Sequence, residues 1–188
     1  MKVGLIRHFK VTRGYPNTFV TSTELMKWVD EYNASDIEEN EIDLKNIEWK
    51  RCYSSDLSRA RITAEKAFNG KIVYLEGLRE LNLYPFFRLN MRIPLFLHLL
   101  FIRIAWLLNH KSQLETKHDV SKRISDTLDK ILQSDEDVLI VSHGGVMIFL
   151  RKELIKRGFK GPKFKRAKTG NFIFLKTIVS RSKSVFLL

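Results

Sequence analysis

Two short apolar runs, VGLI at residues 3–6 and VLIV at 138–141, end abruptly in polar words that each contain a histidine. Arg7-His8 follows the first, and Ser142-His143-Gly144-Gly145 follows the second. Runs of four or five apolar residues bounded by charge are too short for core helices and read as buried strands. Between and around them the spacing becomes helical. Thr21 to Glu24 has the form of a capping box, followed by Leu25, Trp28, Val29 and Tyr32 on one helix face. After an acidic link from Glu38 to Glu48, WKRCYSS reads as a second strand. Asp56 is expected to cap a helix carrying Leu57, Ala60, Ala64 and Phe68, closed by Asn69-Gly70. KIVYL reads as a third strand, and Val120, Ile124, Leu128, Ile131 and Leu132 form another helical stripe. Val146 to Arg157 reads as a helix stopped by Gly158, and NFIFLKTI as a last strand. This alternation predicts an α/β fold, a three-layer sandwich with a mainly parallel central sheet flanked by helices. Ligand sites in such sheets lie outside the carboxyl ends of the strands.

The 188 residues fit a single domain over 1–188, with 82–118 set apart as a small apolar helical cap or lid insertion. Within that insertion, Ile93 to Leu108 is apolar but broken by Pro94, His98 and Arg103, and it falls short of the ~20 residues a spanning helix needs. A lid helix, an oligomer contact, a membrane-surface helix following Arg88 and Arg92, and a plain buried helix all remain open. The single cysteine, Cys52, rules out an internal disulfide, and no Cys/His cluster has zinc-ligand spacing. The N-terminus lacks the pattern of a signal peptide, so a cytoplasmic setting is expected. The formal charge of +12 is concentrated at one end: from Val138 onward, twelve Lys or Arg face one acid, Glu153. That basic third suits an anionic partner, whether a phosphorylated metabolite, nucleic acid or an acidic membrane surface, or is simply a solvated basic face.

Four words recur at predicted strand ends or helix starts: Arg7-His8, CYSSDLSRARITAE, Leu78-Arg79-Glu80, and Ser142-His143-Gly144-Gly145. Two histidines and at least two arginines able to converge suit a phosphoryl group, because guanidinium forks donate paired hydrogen bonds and keep their charge. Neighbouring cations lower a histidine's pKa and favour the neutral, nucleophilic imidazole.

In content and order these words resemble the histidine phosphatase superfamily, the phosphoglycerate mutase-like proteins. LIRHF is similar to the family's Leu-x-Arg-His-Gly word, and YSSDLSRARITAE to its Ser-Ser-x-Leu-x-Arg-Ala-x-x-Thr-Ala-Glu word. LRE is similar to its Leu-x-Glu word, VSHGG to its second histidine word, and TGNFIFL to the start of its last strand. The resemblance implies that His8 is the nucleophile forming a phosphohistidine, and that Arg7, Arg59 and His143 hold the phosphoryl group. Glu80 would be the proton donor, with no divalent metal and no cofactor. Arg61 competes with Arg59, and Glu76 with Glu80; His98, His110 and His118 match no family word.

The sequence departs from the family at Phe9, where the family has Gly, and at Lys10, Val11 and Gly14, where its acid or amide, Thr and Asn stand. A glycine there would tolerate backbone angles and a close ligand approach that Phe does not. LNLYPFF replaces the Gly-x-Trp-Glu-Gly feature of some metabolite phosphatases. The expected activity is hydrolysis of a small phosphomonoester metabolite. A protein phosphohistidine phosphatase, or a non-catalytic member binding nucleic acid or acidic lipid, is the alternative.

Overall fold

The computed structural model describes residues 1–16, 18–87, 91–164 and 167–177. Arg88 and the cations Lys165, Arg166, Arg181 and Lys183 of the basic third lie outside them. In chain order the first half comprises β1 (Lys2–Arg7), β2 (Lys10–Val11), β3 (Phe19–Val20), α1 (Ser22–Ala34), β4 (Ile37–Glu38), β5 (Arg51–Ser54), α2 (Ser58–Ala67) and β6 (Ile72–Tyr74). A 3-10 turn at Glu76–Leu78 leads to β7 (Ile93–Pro94), α3 (Leu95–Leu107), α4 (Lys117–Ile131), β8 (Val138–Ser142), α5 (Gly144–Lys156), β9 (Phe159–Lys160) and β10 (Phe172–Thr177).

Among the described residues six strands form the central sheet in the order β6-β5-β8-β1-β10-β9. β6, β5, β8 and β1 run parallel, while β10 is antiparallel to both β1 and β9. Alternation within the inner strands divides the core. Val3 and Leu5 of β1, with Val138 and Ile140 of β8, pack under α4 and α5 with Ile124, Leu128, Val146 and Leu150. Ile6, Leu139 and Val141 face the other way, onto Ala60 and Ala64 of α2 and the indole of Trp49. Strands covered on both faces need uninterrupted apolar sequence, which is why VLIV shows no polar alternation. The mainly parallel three-layer sandwich read from the sequence is the observed fold.

Local signals decide the helix ends. The predicted capping box at Thr21 and Glu24 starts α1, and a second, at Thr116 and Asp119, starts α4. Gly158, at φ +87°, follows the end of α5. The expected Asp56 cap is not made: Leu57 is the N-cap of α2, without a side-chain bond. Asp56 instead accepts a two-pronged pair from Arg79 at 2.8 and 2.5 Å, so a charge-assisted contact takes the carboxylate away from the helix start.

Candidate active site

β1, β8 and β5 are neighbours, so their carboxyl ends bring three of the four words together. Arg7 stands in register with Ser142, and Ser54 with Val141. His8 and His143 are buried with ring centroids 5.0 Å apart. His8 Nδ1 lies 2.6 Å from the Phe9 carbonyl oxygen. A carbonyl only accepts, so Nδ1 carries the proton and Nε2 keeps its lone pair. His143 Nε2 lies 2.8 Å from the Ser55 hydroxyl, which accepts from the Leu57 N–H at 3.3 Å. Donation from that hydroxyl to Nε2 leaves the His143 proton on Nδ1, and Nδ1 is buried without a partner.

The arginines close over this pair. Arg7 donates from Nη1 to the Ala167 carbonyl at 2.7 Å. A Cβ on Gly144 would come within 3.1 Å of its guanidinium, so the first glycine after His143 admits the Arg7 side chain. Arg59, in the first turn of α2, is 4% exposed and donates from Nη1 to Asn33 Oδ1 at 2.8 Å. The Tyr32 ring lies 5.4 Å from its Cζ, and its Nε is buried without a partner. Arg61 instead stacks on Tyr74 at 4.3 Å, exposed and away from the histidines, so Arg59 is the arginine the site receives.

Glu80 is wedged against the N-terminus of α5. Its carboxylate accepts from the N–H groups of Gly145 and Val146, each at 3.2 Å, and of Leu81 at 3.1 Å. An orphan helix end is thereby capped by a carboxylate from another segment. A Cβ on Gly145 would approach its Oε1 to 2.6 Å. Glu76 is held at the surface by Arg79 at 3.0 Å. A cleft of about 1050 Å³ opens with Arg59 and Glu80 in its wall, while His8, His143 and Arg7 do not line it; the two wall residues are its link to the histidine pair.

Phe9, at the family's glycine position, does not enter this cleft. Its ring is buried and faces Gly170, which has φ +68° and donates its N–H to the Arg7 and His8 carbonyls at 3.0 and 3.2 Å. Phe9 itself has no positive φ, and its N–H donates to Thr63 Oγ1 at 2.9 Å. The substitution is therefore accommodated as packing beneath the turn that follows β1.

Burial, then the charge of Arg59, lowers the His8 pKa from 6.5 to about 3, with Arg7 adding to the effect; burial and Arg59 likewise hold His143 well below its ordinary value. Both imidazoles are neutral at pH 7. Between pH 6.5 and about 3 the unfolded chain binds a proton at His8 that the folded chain refuses, so stability falls as the pH drops through that window. Urea midpoints at pH 7 and pH 4 check this. The His8→Gln variant is expected to lose less stability than wild type by up to ~1.4 kcal/mol per pH unit within the window. Parallel losses would refute the assignment.

A strand-end histidine pair beside two arginines, inside a mainly parallel three-layer sandwich, is an arrangement able to take a phosphoryl group. The chain belongs to the histidine phosphatase superfamily (branch 1), whose family model matches residues 37–173. Solved structures share the fold at low identity. A candidate α-ribazole-5'-phosphate phosphatase from Escherichia coli has a TM-score of 0.61 at 18% identity, covering 93% of this chain and 89% of that one. A mycobacterial glucosyl-3-phosphoglycerate phosphatase has a TM-score of 0.56 at 16% identity, covering 93% and 89%. The phosphoserine phosphatase of Entamoeba histolytica has a TM-score of 0.54 at 16% identity, covering 92% and 89%. No curated protein matches the sequence significantly.

Asn33 and Ser55 are site residues not named from the sequence. Ser55 sits inside the YSSDLSRA word, so a signal existed. Asn33 sits near the end of α1, where nothing in the local pattern marks it.

Proposed function

We propose that this chain is a phosphomonoester hydrolase that works through a phosphohistidine at His8, acts on a small phosphorylated metabolite and needs no divalent metal. One observation carries the reading: two neutral histidines are buried beside guanidiniums, and a guanidinium donor at Arg59 Nε and an imidazole donor at His143 Nδ1 are left without partners. Unsatisfied buried donors are costly, and a phosphoryl oxygen is an acceptor that satisfies them.

In the first step the His8 Nε2 lone pair attacks phosphorus, forming the P–N bond as the P–O bond to the leaving group breaks. Glu80 enters this step protonated, gives its proton to the departing oxygen and returns to the carboxylate that the Gly145, Val146 and Leu81 N–H groups hold. In the second step water attacks phosphorus, the P–N bond breaks with its electron pair returning to Nε2, and the Glu80 carboxylate takes the water proton. Arg7, Arg59 and the His143 Nδ1 proton meet the charge on the equatorial oxygens, the task that metal ions perform in other phosphoryl-transfer sites. The three similar structures are named for phosphomonoester substrates, which agrees with a small-molecule cleft. The test is hydrolysis of p-nitrophenyl phosphate with and without EDTA. Equal turnover in both is expected. Chelator-sensitive turnover would overturn the metal-free mechanism, and background turnover in both would overturn the enzyme assignment.

A further inference from the structure

The outer face of α3 is unusual for a protein surface. On its inner side His98, Ile102 and Ala105 are buried, and Ile102 packs with Val20 and Leu25 at the start of α1. On its outer side Phe96, Leu99, Leu100, Ile104 and Leu107 recur at helical spacing and stay exposed, Phe96 at 65% and Leu107 at 63%. Leu108 and Leu114 continue the apolar surface beyond the helix end. A contiguous apolar patch of this kind marks a contact surface.

Charge narrows the choice of occupant. Arg103 falls within the stripe, is exposed, and has no acidic partner among the described residues. From Leu81 to Leu114 the sequence holds Arg88, Arg92, Arg103 and Lys111, but not one Asp or Glu. Glu24 already takes Arg92 at 2.6 Å, but Arg103 and Lys111 have no acidic partner among the described residues, so two such stripes paired about a two-fold axis would bring those charges together with no acid in 81–114 to offset them. A surface that is apolar at depth and anionic at its rim, as an acidic bilayer is, accepts both the leucines and the guanidinium. No helix among the described residues is long and apolar enough to cross a membrane, so the stripe would lie on the bilayer.

The stripe is continuous with the cleft. Leu99 belongs to both, and Ile102 from α3 with Met26 and Val29 from α1 extend an apolar wall toward Arg59. We infer that the substrate is an amphiphile, a phosphomonoester whose leaving group carries an aliphatic chain, taken from the surface of an anionic bilayer on which the α3 stripe rests. This builds on the phosphatase reading above.

The test uses the full chain and dodecyl phosphate carried in vesicles of equimolar phosphatidylglycerol and phosphatidylcholine, against soluble glycerol phosphate and p-nitrophenyl phosphate. Wild type is expected to float with these vesicles but not with phosphatidylcholine alone, and to prefer the dodecyl ester over glycerol phosphate by about tenfold or more in kcat/KM. The Leu100→Glu/Leu107→Glu variant, altered only on the exposed stripe, keeps p-nitrophenyl phosphate turnover and loses about tenfold on the vesicle-borne ester. Turnover of the aryl ester with no chain preference, or an unaffected double variant, overturns this inference alone. A lipid-free dimer dissolved by the same substitutions assigns the stripe to a second copy and also overturns it. Absence of turnover on every ester overturns the phosphatase reading, and this inference with it.

Discussion

Replacing His8 by alanine is expected to lower kcat/KM for p-nitrophenyl phosphate by at least ~10⁴-fold, because the proposed mechanism then loses the group that forms the P–N bond and no neighbouring side chain duplicates it. His143, the nearest ring, has its Nε2 occupied by Ser55 and its proton on Nδ1, so it offers no lone pair in its place. The backbone at position 8 is held independently of the side chain, through the His8 N–H to the Ser142 carbonyl at 3.0 Å. The variant should therefore stay folded, which an unchanged far-UV circular dichroism spectrum verifies. Residual activity within about tenfold of wild type would mean that another residue attacks phosphorus.

Arg59→Ala is the second large effect, an expected loss of ~10²–10³-fold in kcat/KM, the range found when a preorganised donor to a developing oxyanion is removed. The Asn33 amide and Tyr32 ring hold the guanidinium in place before substrate arrives, so the cost of ordering that side chain is met in folding. Lysine cannot reproduce this arrangement, since its point charge makes no fork and has no match for both Asn33 and a phosphoryl oxygen. Arg59→Lys is thus expected to recover less than about tenfold of the loss. Steady-state kinetics on the three proteins decide it; full activity in Arg59→Lys would show that position 59 supplies only charge.

How much of this was legible in the sequence depended on whether the determinant was local. VGLI and VLIV announced buried parallel strands because each is covered on both faces, and Thr21 and Glu24 announced a helix start because a capping box is complete within four residues. Asp56 misled for the converse reason. Its partner, Arg79, lies 23 residues away, and a two-pronged ion pair outcompeted the local cap. Spacing from Ser54-Ser55 within the word favours Arg59 over Arg61, but the Tyr74 ring that takes Arg61 comes from β6, outside that word. Phe9 departs from the family's glycine, but its ring is buried against Gly170, more than 160 residues along the chain, and no local pattern reveals that contact. The outer stripe of α3 was equally hidden. A helix that is apolar all round does not reveal which side faces the protein until α1 has taken one of them.

In the proposed mechanism His8 carries the phosphoryl group between the two steps. The most direct measurement is rapid quenching of wild-type protein during turnover of a good phosphomonoester, followed by mass spectrometry of the peptide containing His8. The mechanism predicts an acid-labile, base-stable phosphate on His8, absent from the His8→Ala protein. Turnover with no covalent phosphate at any quench time, or a phosphate on another residue, would contradict it.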